Sequence, residues 1–568
     1  MKVSDYIVEF FINKGITDVF GYPGGMVTQL MDSFRKYDGQ ITAHVNYHEQ
    51  GAAFAACGYA QVSGKVGVAY ATSGPGATNL ITGICHAFFD SVPAIFITGQ
   101  VNRNEARGSM GVRQRGFQET DIVSVVTPVT KYAAYVEDAG ELPAELEKAY
   151  DVANSGRKGP VLLDIPMDVF RAEIERRTGE VYSSVEEKRK EVSLGEITAV
   201  LSDALGCAKA PVFLIGGGVK SSNMEGKLRE LLGRKGIPVI ASMIAFDVMK
   251  CDPVYYGFLG AYGDRTANFI AAKCDLLITI GTRLDIRQVG VHRDRFAPNA
   301  TIIRFDIDPG ELEYRVHENE TQMCTDIETV LDALAATKTY DFRKWLAVCD
   351  EIKRMLSDTD HTPTGRLVEE LSNKIPDDTA ITTDVGQNQV WVAQSFHLKQ
   401  NQKVLFSGGH GAMGYALPAA IGAYYGTGKK TVYCITGDGG MQMNIQELQF
   451  IARERLPIKI VVLNNNALGM IRHFQEMYFD SRYFQTKPEG GYEAPSFARI
   501  AEAYGIKGRC IEPSEVMTFE WSDGAELLEV MIRNNTYVIP KLEFGKPNQD
   551  QEPLIDRKLY ERIMSMQP

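Results

Sequence analysis

Two oxygen-bearing side chains, Asp438 and Asn465, stand where a metal ion and a diphosphate could be bound. Asp438 lies in a Gly-Asp-Gly turn directly after the β-branched run 431–436, and Asn465 lies in an Asn-Asn-Asn turn directly after the apolar run 458–463. One carboxylate and one amide oxygen suit a hard cation such as Mg²⁺, whose shell is completed by phosphate oxygens. Taken separately, the two segments could equally be a plain turn and a plain loop.

The elements around these two residues favour the metal site. Apolar residues at Ile445, Leu448 and Ile451 have the spacing of one helix face, so the segment predicts a strand, a helix and a second strand. Such units place their strands parallel, and parallel neighbours end about 5 Å apart at the same sheet edge. We therefore expect Asp438 and Asn465 to converge at the carboxyl edge, where open α/β sheets bind ligands.

Glycine-rich turns after predicted strands recur along the chain and resemble nucleotide-binding loops. Gly409-x-Gly411-x-x-Gly414 has the spacing of a dinucleotide fingerprint, but it lacks the acidic residue expected about 20 positions later. The segments 426–431 and 217–221 are defective as P-loops. Backbone N–H groups in such turns can still cradle phosphates. Three turns of this kind in one chain predict at least one diphosphate cofactor.

A further titratable group, Glu49, lies in the segment His48-Glu49-Gln50-Gly51, directly before a small-residue helix predicted at 52–60. It could simply be an acid that stabilises the start of this helix. If buried, its pKa would be raised and it could share a proton with a nitrogen base, as a general acid–base group must. The nine histidines show no HExxH spacing and no GxSxG elbow is present, which argues against a catalytic zinc or a serine nucleophile.

Composition limits the class of protein. The 568 residues are enough for three or more domains, and 44% hydrophobic with 23% charged residues is ordinary for a globular protein. A net charge of −12 argues against nucleic acid or an anionic membrane as the main partner. The nine cysteines form no CxxC pair, and neither a signal peptide nor a membrane-spanning run is recognisable. We expect a cytoplasmic protein.

Alternating strand and helix patterns predict an α/β protein built from three doubly wound domains with mainly parallel sheets. The predicted domains are residues 1–175, 195–340 and 362–545, followed by a tail at 546–568 that wraps over a surface or lid. A charged, apolar-poor linker is predicted at 176–194.

Several motifs together resemble those of thiamine diphosphate-dependent enzymes. These are the Gly-Asp-Gly turn followed about 25 residues later by the asparagine pair, the segment HEQGAA that contains Glu49, the turn GYPGG at 21–25 and the segment TSGPGATNL at 72–80. Collinear matches extend over most of the chain and are most similar to acetolactate synthase (acetohydroxyacid synthase) large subunits. The resemblance implies a pyrimidine-binding, a central and a diphosphate-binding domain. It also implies a homodimer or tetramer with active sites at the interface, and leaves a small regulatory subunit open.

The resemblance also implies roles for individual residues. Glu49 would hydrogen-bond N1′ of the aminopyrimidine, so that the pyrimidine removes the thiazolium C2 proton, and Met413 would hold the cofactor in its folded V shape. Asp438, Asn465 and the carbonyl of Ala467 would bind Mg²⁺. Other residues that match cofactor-binding positions are Pro23, Gly386, Gln387, Asn388, Gly411, Gly437, Gly439, Gly440, Leu468, Gly469 and Met470. Those that match catalytic positions are Gly25, Phe117, Gln118 and Lys131.

In this branch of the family the central domain binds FAD, and Gly217, Gly218, Arg283 and Asp306 match positions of that site. The alternative is a central domain that keeps the fold without the flavin. The implied reaction is decarboxylation of pyruvate and transfer of the two-carbon acyl-anion unit to a second 2-oxo acid.

Three departures from the family bear on the acceptor. Phe474 replaces a tryptophan, His410 replaces the leucine of GGLGTMG, and the segment between Val101 and Gly116 is about six residues longer than usual and carries four arginines. The arginines could form a solvated loop or recognise phosphate. A close alternative acceptor is therefore a nucleotide-linked keto-sugar, as in polysaccharide-pathway relatives. An inactive regulatory homologue and a dinucleotide-dependent dehydrogenase are the more distant alternatives.

Overall fold

The computed structural model describes residues 1–175, 192–249 and 252–568, and most of the predicted linker at 176–194 lies outside these residues. Within them are three six-stranded sheets in which all the paired strands run parallel. This confirms the predicted fold class of three α/β domains. The division at 1–175, 195–340, 362–545 and 546–568 stays a prediction.

The first sheet has the strand order β2-β1-β3-β4-β6-β5. Its strands are β1 (Asp18–Gly21), β2 (Thr42–Val45), β3 (Gly67–Ala71), β4 (Ala94–Gln100), β5 (Tyr132–Tyr135) and β6 (Pro160–Pro166). The helices of this part are α1 (Val3–Asn13), α2 (Thr28–Lys36), α3 (Glu49–Ser63), α4 (Pro75–Asn79), α5 (Ile81–Phe89), α6 (Ile122–Val126), α7 (Leu142–Asn154) and α8 (Met167–Arg171). Strands β3, β4 and β6 are buried along their whole length, as expected for the interior of a parallel sheet.

The central sheet has the order β12-β11-β10-β7-β8-β9, which is the Rossmann arrangement of two three-stranded halves. Its strands are β7 (Pro211–Ile215), β8 (Val239–Ala241), β9 (Tyr255–Phe258), β10 (Leu276–Ile280), β11 (Thr301–Asp306) and β12 (Thr321–Cys324). The helices are α9 (Leu194–Cys207), α10 (Gly218–Ser221), α11 (Glu225–Lys235), α12 (Phe246–Met249), α13 (Arg265–Lys273), α14 (Ile286–Val289), α15 (Pro309–Glu313), α16 (Ile327–Ala336) and α17 (Arg343–Leu356).

The third sheet has the order β14-β13-β15-β16-β18-β17, which repeats the order of the first. Its strands are β13 (Ala380–Thr383), β14 (Lys403–Phe406), β15 (Val432–Gly437), β16 (Ile458–Asn464), β17 (Lys507–Ile511) and β18 (Glu526–Met531). The remaining helices are α18 (Pro363–Asn373), α19 (Gln387–Ser395), α20 (Ala416–Gly426), α21 (Asp438–Met443), α22 (Leu448–Glu454), α23 (Gly469–Tyr478), α24 (Phe497–Ala503) and α25 (Arg557–Ser565).

The helix predicted after the Gly-Asp-Gly turn is broken into two. Helix α21 ends at Met443, and a 3₁₀ turn at Ile445–Glu447 precedes α22. The break falls at Asn444, whose side chain donates a hydrogen bond to the carbonyl of Gly414 at 2.8 Å. The helix is therefore interrupted at a residue whose side chain is bonded to a segment distant in sequence, which the local apolar spacing could not reveal.

The chain forms two compact units. The first combines residues 1–175 with Thr379–Asn388 and Lys403–Asn534, so it contains the first and third sheets. The second contains 192–249, 252–378, Gln389–Gln402 and the tail Asn535–Pro568. Across the described ranges, no helix is long and apolar enough to cross a membrane.

In the first unit, α3 and α20 pack closely because small residues line both helices. A β-carbon on Gly58 would come within 2.9 Å of the backbone of Ala419, and one on Gly422 would come within 2.6 Å of the carbonyl carbon of Ala55. Both helices follow the second strand of their respective sheets. The contact therefore joins equivalent elements of the two sheets in one apolar core.

Candidate active site

The carboxyl ends of β15 and β16 bring Asp438 and Asn465 together. The two strands pair in parallel, with Gly437 opposite Leu463, so each side chain follows its strand at the same edge. The N–H of Ala467 donates to Asp438 Oδ2 at 3.1 Å and to Asn465 Oδ1 at 3.2 Å. Two side-chain oxygens from different strands thus converge on one backbone group.

Asp438 is buried, and among the residues that the structure describes no cationic side chain pairs with it. It is only 4% exposed, and this burial raises the pKa of its carboxyl to about 6, although the N–H groups of Gly439 and Ala467 and the hydroxyl of Tyr492 partly offset the effect. A buried carboxylate whose charge is disfavoured gains from a bound divalent cation. A carboxylate, an amide oxygen and a nearby backbone carbonyl form the hard-oxygen set that Mg²⁺ takes.

The glycines after Asp438 are packed so closely against neighbouring residues that a side chain at either position would not fit. A β-carbon on Gly439 would lie 2.7 Å from Met413 Cε and 2.8 Å from Leu468 Cδ2, and one on Gly440 would lie 2.6 Å from Thr436 Oγ1. Met413 therefore borders the residue next to Asp438. Gly439 and Gly440 lie in the first turn of α21, and backbone N–H groups at a helix start are a usual site for phosphate.

Asp384 ties the neighbouring segments to the same edge. It follows β13, the strand beside β15 at which the strand order reverses, and such switch points are where open α/β sheets bind ligands. Its carboxylate accepts hydrogen bonds from the N–H of Gly414 at 2.7 Å, from Thr436 Oγ1 at 2.9 Å and from Asn388 Nδ2 at 3.1 Å. Burial raises its pKa to about 6. Sequence reasoning missed Asp384, although its place after a strand resembles that of Asp438.

Gln387 and Gly469 complete this group. Gln387 Oε1 accepts a hydrogen bond from Asn465 Nδ2 at 2.9 Å, which turns the amide oxygen of Asn465 toward Asp438 and Ala467. Gly469 begins α23 and leaves no room for a β-carbon beside Gln387 Oε1 and Asn465 Nδ2. The residues predicted from positions 386–388, 437–440 and 465–470 are thus brought to one sheet edge with Met413.

A buried aspartate, Asp90, holds the loop that carries His410. Asp90 accepts hydrogen bonds from the N–H groups of Gly408 at 2.9 Å, Gly409 at 2.8 Å and His410 at 3.2 Å. His86 Nδ1 lies 3.2 Å from the same carboxylate. The imidazole of His410 stacks on the ring of Phe89 with 5.6 Å between centroids. Burial, followed by the nearby His86, lowers the pKa of His410, which favours the neutral imidazole.

Glu49 lies in a second group, formed by the turns after β1, β2 and β3. It is the first residue of α3, whose N-cap is His48, and it is 8% exposed. Its Oε2 accepts a hydrogen bond from Asn79 Nδ2 at 3.0 Å, and a β-carbon on Gly76 would lie 3.2 Å from its Oε1. The sequence left open whether Glu49 starts a helix or is a buried carboxyl, and the structure shows that it is both.

The turn that contains Pro23 and Gly25 packs beside this group, since the N–H of Met26 donates to Thr72 Oγ1 at 3.2 Å. Gln118 packs there as well. It has a left-handed backbone with φ of 61°, and its Cβ would lie 2.9 Å from a β-carbon on Gly74. Phe117, in contrast, is 79% exposed. The structure thus gathers Glu49, the 23–26 turn and Gln118 at the carboxyl edge of the first sheet.

Lys131 is not brought to this group. It directly precedes β5, so it lies at the amino end of a parallel strand, whereas Glu49 follows the carboxyl end of β2. Its ammonium donates to the carbonyl of Val152 and, at 2.7 Å, to that of Ser155. These carbonyls lie at the end of α7, where a cation stabilises the helix.

The long arginine-bearing segment is internally hydrogen-bonded. Arg103 pairs with Asp168 at 2.7 Å, and the guanidinium of Arg115 donates to the carbonyls of Asn104 at 2.8 Å and Ala106 at 3.1 Å. Glu119 accepts from the backbone N–H groups of Arg107, Arg115 and Gly116, and these contacts hold its pKa below the usual range in spite of some burial. The guanidinium of Arg107 also donates to the carbonyl of Val112 at 3.4 Å, so three of the four arginines are hydrogen-bonded within the fold.

Glu447 joins the two groups of the first unit and was missed by sequence reasoning. Its fully buried carboxylate accepts hydrogen bonds from Asn46 Nδ2 at 2.9 Å and from the N–H of Tyr47 at 3.0 Å. Burial raises its pKa to about 7. The signal was an acidic residue inside an otherwise apolar segment shortly after the Gly-Asp-Gly turn.

Comparison with known proteins agrees with both groups. Residues 1–125, 199–334 and 384–538 match family models described as the N-terminal thiamine pyrophosphate (TPP) binding domain, the central domain and the C-terminal TPP binding domain of thiamine pyrophosphate enzymes. The chain is 37% identical to the acetolactate synthase isozyme 2 large subunit of Escherichia coli (strain K12), over 97% of this chain and 99% of that protein.

Two further relatives are similar over most of their length. The acetolactate synthase large subunit of Lactococcus lactis is 33% identical over 95% of this chain and 94% of that protein. Acetolactate synthase 1 of Oryza sativa is 35% identical over 97% of this chain and 87% of that protein. The chain belongs to the acetolactate synthase-like family of thiamine diphosphate enzymes.

In acetolactate synthase-like proteins the central domain is associated with FAD, and the central sheet here offers a dinucleotide site. Gly217 and Gly218 follow β7, Arg283 follows β10 and Asp306 ends β11, so all four lie at the carboxyl edge of three adjacent strands. The strand order reverses between β7 and β10, where Rossmann sheets bind dinucleotides. The N–H of Gly218 donates to Gly281 at 3.1 Å across this switch point.

A buried ion pair stiffens the same edge. Arg304 and Glu320 are 3.1 Å apart and almost fully buried, and Arg304 also donates to the carbonyls of Glu311 and Arg283. The backbone at Arg283 is thus fixed from within the sheet, while its guanidinium lies near Asp285 at 3.3 Å. The four residues matched to the family's flavin site therefore sit on a rigid support.

Proposed function

We propose that this protein decarboxylates pyruvate and transfers the two-carbon acyl-anion unit to a second 2-oxo acid. The observation that carries the proposal is the convergence of Asp438 and Asn465 on Ala467, beside Met413, in a chain similar to acetolactate synthases over nearly its whole length. Bound thiamine diphosphate supplies the electron sink that lets a 2-oxo acid lose CO₂. The protein supplies geometry and electrostatics.

Each group has a distinct task in this proposal. Asp438, Asn465 and the carbonyl of Ala467 hold Mg²⁺, and the glycine-lined edge from Gly437 to Gly440 receives the diphosphate. Glu49, buried and oriented by Asn79, holds a proton at the pyrimidine N1′. Met413 supports the bend of the cofactor. Further cofactor contacts are assigned to Pro23, Gly386, Gln387, Asn388, Gly411, Leu468, Gly469 and Met470, and substrate contacts to Gly25, Phe117 and Gln118.

The preferred acceptor is a small 2-oxo acid. Phe474 lies on α23, which begins at Gly469, and it packs in an aromatic group with Tyr478 and Phe479, with centroid distances of 4.6 Å and 6.1 Å. The arginine-bearing segment argues against a nucleotide-linked sugar, because Arg103 and Arg115 already pair within the fold.

Flavin and assembly complete the proposal. The central sheet holds FAD at the edge formed by Gly217, Gly218, Arg283 and Asp306. The chain forms a homodimer or tetramer in this proposal, and two of the similar proteins are named large subunits, which supports a small regulatory subunit as a further partner. A flavin spectrum of the purified protein, and light scattering with and without a regulatory subunit, test these two parts.

The activity test measures acetolactate formed from pyruvate with thiamine diphosphate and Mg²⁺. Glu49→Gln should lower turnover at least about 100-fold, since a general acid–base group contributes factors of this order. Glu141→Gln, at an exposed position, is the matched control. Retained activity in Glu49→Gln would refute the assigned proton transfer. CO₂ release that accelerates only with a nucleotide sugar would refute the acceptor, and complete inactivity of the cofactor-loaded native protein would support an inactive homologue.

A further inference from the structure

Asp164 is a buried carboxylate for which neither the motifs nor the proposed reaction has a use. It lies in β6, opposite Thr98 of β4, and is 2% exposed. Thr98 Oγ1 donates to its Oδ1 at 2.7 Å, and Gln100 Nε2 donates to its Oδ2 at 3.0 Å. Both donors are neutral, and within the described parts of the chain no cationic side chain is bonded to Asp164.

Gln100 connects Asp164 to the loop that follows β4. Besides bonding to Asp164, its Nε2 donates to the carbonyl of Thr120 at 2.8 Å, and its Oε1 accepts from the N–H of Val101 at 3.0 Å. Both polar atoms of the Gln100 side chain, Nε2 and Oε1, are therefore hydrogen-bonded to the backbone of the loop. The loop is fixed at both ends of the arginine-bearing segment, at Val101 and at Thr120.

The loop fixed in this way contains a backbone conformation that needs support. Gln118 has φ of 61°, which non-glycine residues rarely adopt. Such a strained conformation persists only where the surroundings over-determine it. Gln118 packs against the turn at Gly74, and that turn continues to Gly76 beside the carboxylate of Glu49. The contacts therefore run from Asp164 through Gln100 to Thr120, and from Gln118, two residues earlier in the same loop, to the Glu49 group.

We infer that Asp164 is a positioning residue: acting through Gln100 and Thr120, it holds Gln118 against the Gly74 turn at the substrate end of the Glu49 group. The inference rests on the proposed function, because the use of Gln118 does. Ionised Asp164 holds Gln100 more strongly than a neutral group would, since charge-assisted hydrogen bonds are about twice as strong as neutral ones. Asp164→Asn keeps the shape and removes the charge.

The ionisation of Asp164 should make the contact with Gln100 depend on pH. Burial raises its pKa to about 7, and the nearby Asp121, at the start of α6, acts in the same direction. Tyr135 of β5 faces Asp164 in the strand register, and its own pKa, raised to about 12, keeps it neutral there. The hydrogen bond from Gln100 to Asp164 should therefore strengthen as pH rises through 7 and Asp164 ionises.

The first experiment does not depend on activity. Hydrogen exchange of the segment 116–120 is compared in the native apoprotein and in Asp164→Asn at pH 8. We expect exchange about 10-fold faster in the variant, which is the effect of losing one charge-assisted hydrogen bond. Asp264→Asn is the matched control, because desolvation also raises the pKa of Asp264 to about 7 but this residue lies in the second unit. Unchanged exchange at 116–120 in Asp164→Asn would refute the inference, whatever the enzyme does.

The second experiment is a double-mutant cycle on kcat/KM for pyruvate. Asp164→Asn should lower kcat/KM about 10-fold in the native background and less than about twofold when Gln118 is already alanine. The native pH profile should also lose a limb near pH 7 in Asp164→Asn. Equal losses in both backgrounds would show that Asp164 does not act through Gln118. Absence of turnover in the native protein would instead count against the proposed function, and the exchange experiment would still decide the role of Asp164.

Discussion

Gly469→Ala tests the metal and diphosphate site through a single methyl group. The new β-carbon would overlap Gln387 Oε1 and come within 3.0 Å of Asn465 Nδ2. Gln387 can swing away, but only by breaking its 2.9 Å hydrogen bond with Asn465. That bond sets which end of the Asn465 amide faces Asp438, so its loss lets the NH₂ group turn toward the cation.

The cost follows from the burial of Asn465, which is 6% exposed. An unsatisfied buried donor costs about 1–3 kcal/mol, which weakens Mg²⁺-dependent binding of thiamine diphosphate about 5- to 150-fold. Isothermal titration of the apoprotein with thiamine diphosphate at fixed Mg²⁺ measures the change. Thermal unfolding of the apoprotein shows that the fold is kept.

A glycine remote from the site provides the matched comparison. Gly226→Ala places its methyl in open space on α11 and should leave the affinity unchanged. If Gly469→Ala binds the cofactor as tightly as Gly226→Ala does, the contact between Gln387 and Asn465 has no part in the site.

Three further results are expected. Because the folded pKa of Asp438, about 6, exceeds its unfolded value, Asp438 should account for about 3 kcal/mol of the unfolding free energy that the metal-free protein loses between pH 4 and 7. Asp438→Asn should reduce that loss by this amount in urea titrations, and the remaining slope belongs to other buried carboxyls such as Asp384 and Glu447. Glu320→Gln breaks a buried ion pair and should lower the free energy of unfolding by about 3–5 kcal/mol. Asp38→Asn breaks an exposed ion pair and should lower it by under about 1 kcal/mol. Equal denaturant midpoints for the two variants would contradict this expectation. Lys131→Met should cost about 1 kcal/mol of stability with kcat/KM for pyruvate nearly unchanged, and a large kinetic loss at native stability would restore its predicted catalytic role.

The sequence was sufficient where local pattern decides geometry. The runs before Asp438 and Asn465 are apolar and β-branched, so their parallel pairing and the convergence of the two residues could be predicted. Asp384 and Glu447 could not, because their importance comes from partners distant in sequence: Gly414 and Thr436 for the first, Asn46 and Tyr47 for the second.

Family motifs were less informative about individual side chains. Lys131 matches a family position, but its ammonium is directed to the end of α7, a contact set by the length of the preceding segments. Likewise, the arginine-bearing segment looked available for phosphate, and only the structure shows Arg103 paired with Asp168. A motif states residue type and order, whereas the direction of a long cationic side chain depends on which carbonyls and carboxylates the fold brings near it.

The repeated strand order of the first and third sheets has an evolutionary consequence. Two sheets with the same connectivity, joined through equivalent helices α3 and α20, form an internal pseudo-dimer of the kind that duplication and fusion of one ancestral domain produce. Glu49 starts the helix after the second strand of the first sheet, and Met413 lies in the turn before the equivalent helix of the third sheet. Under the proposed function, equivalent edges of two matching sheets thus serve different ends of a cofactor.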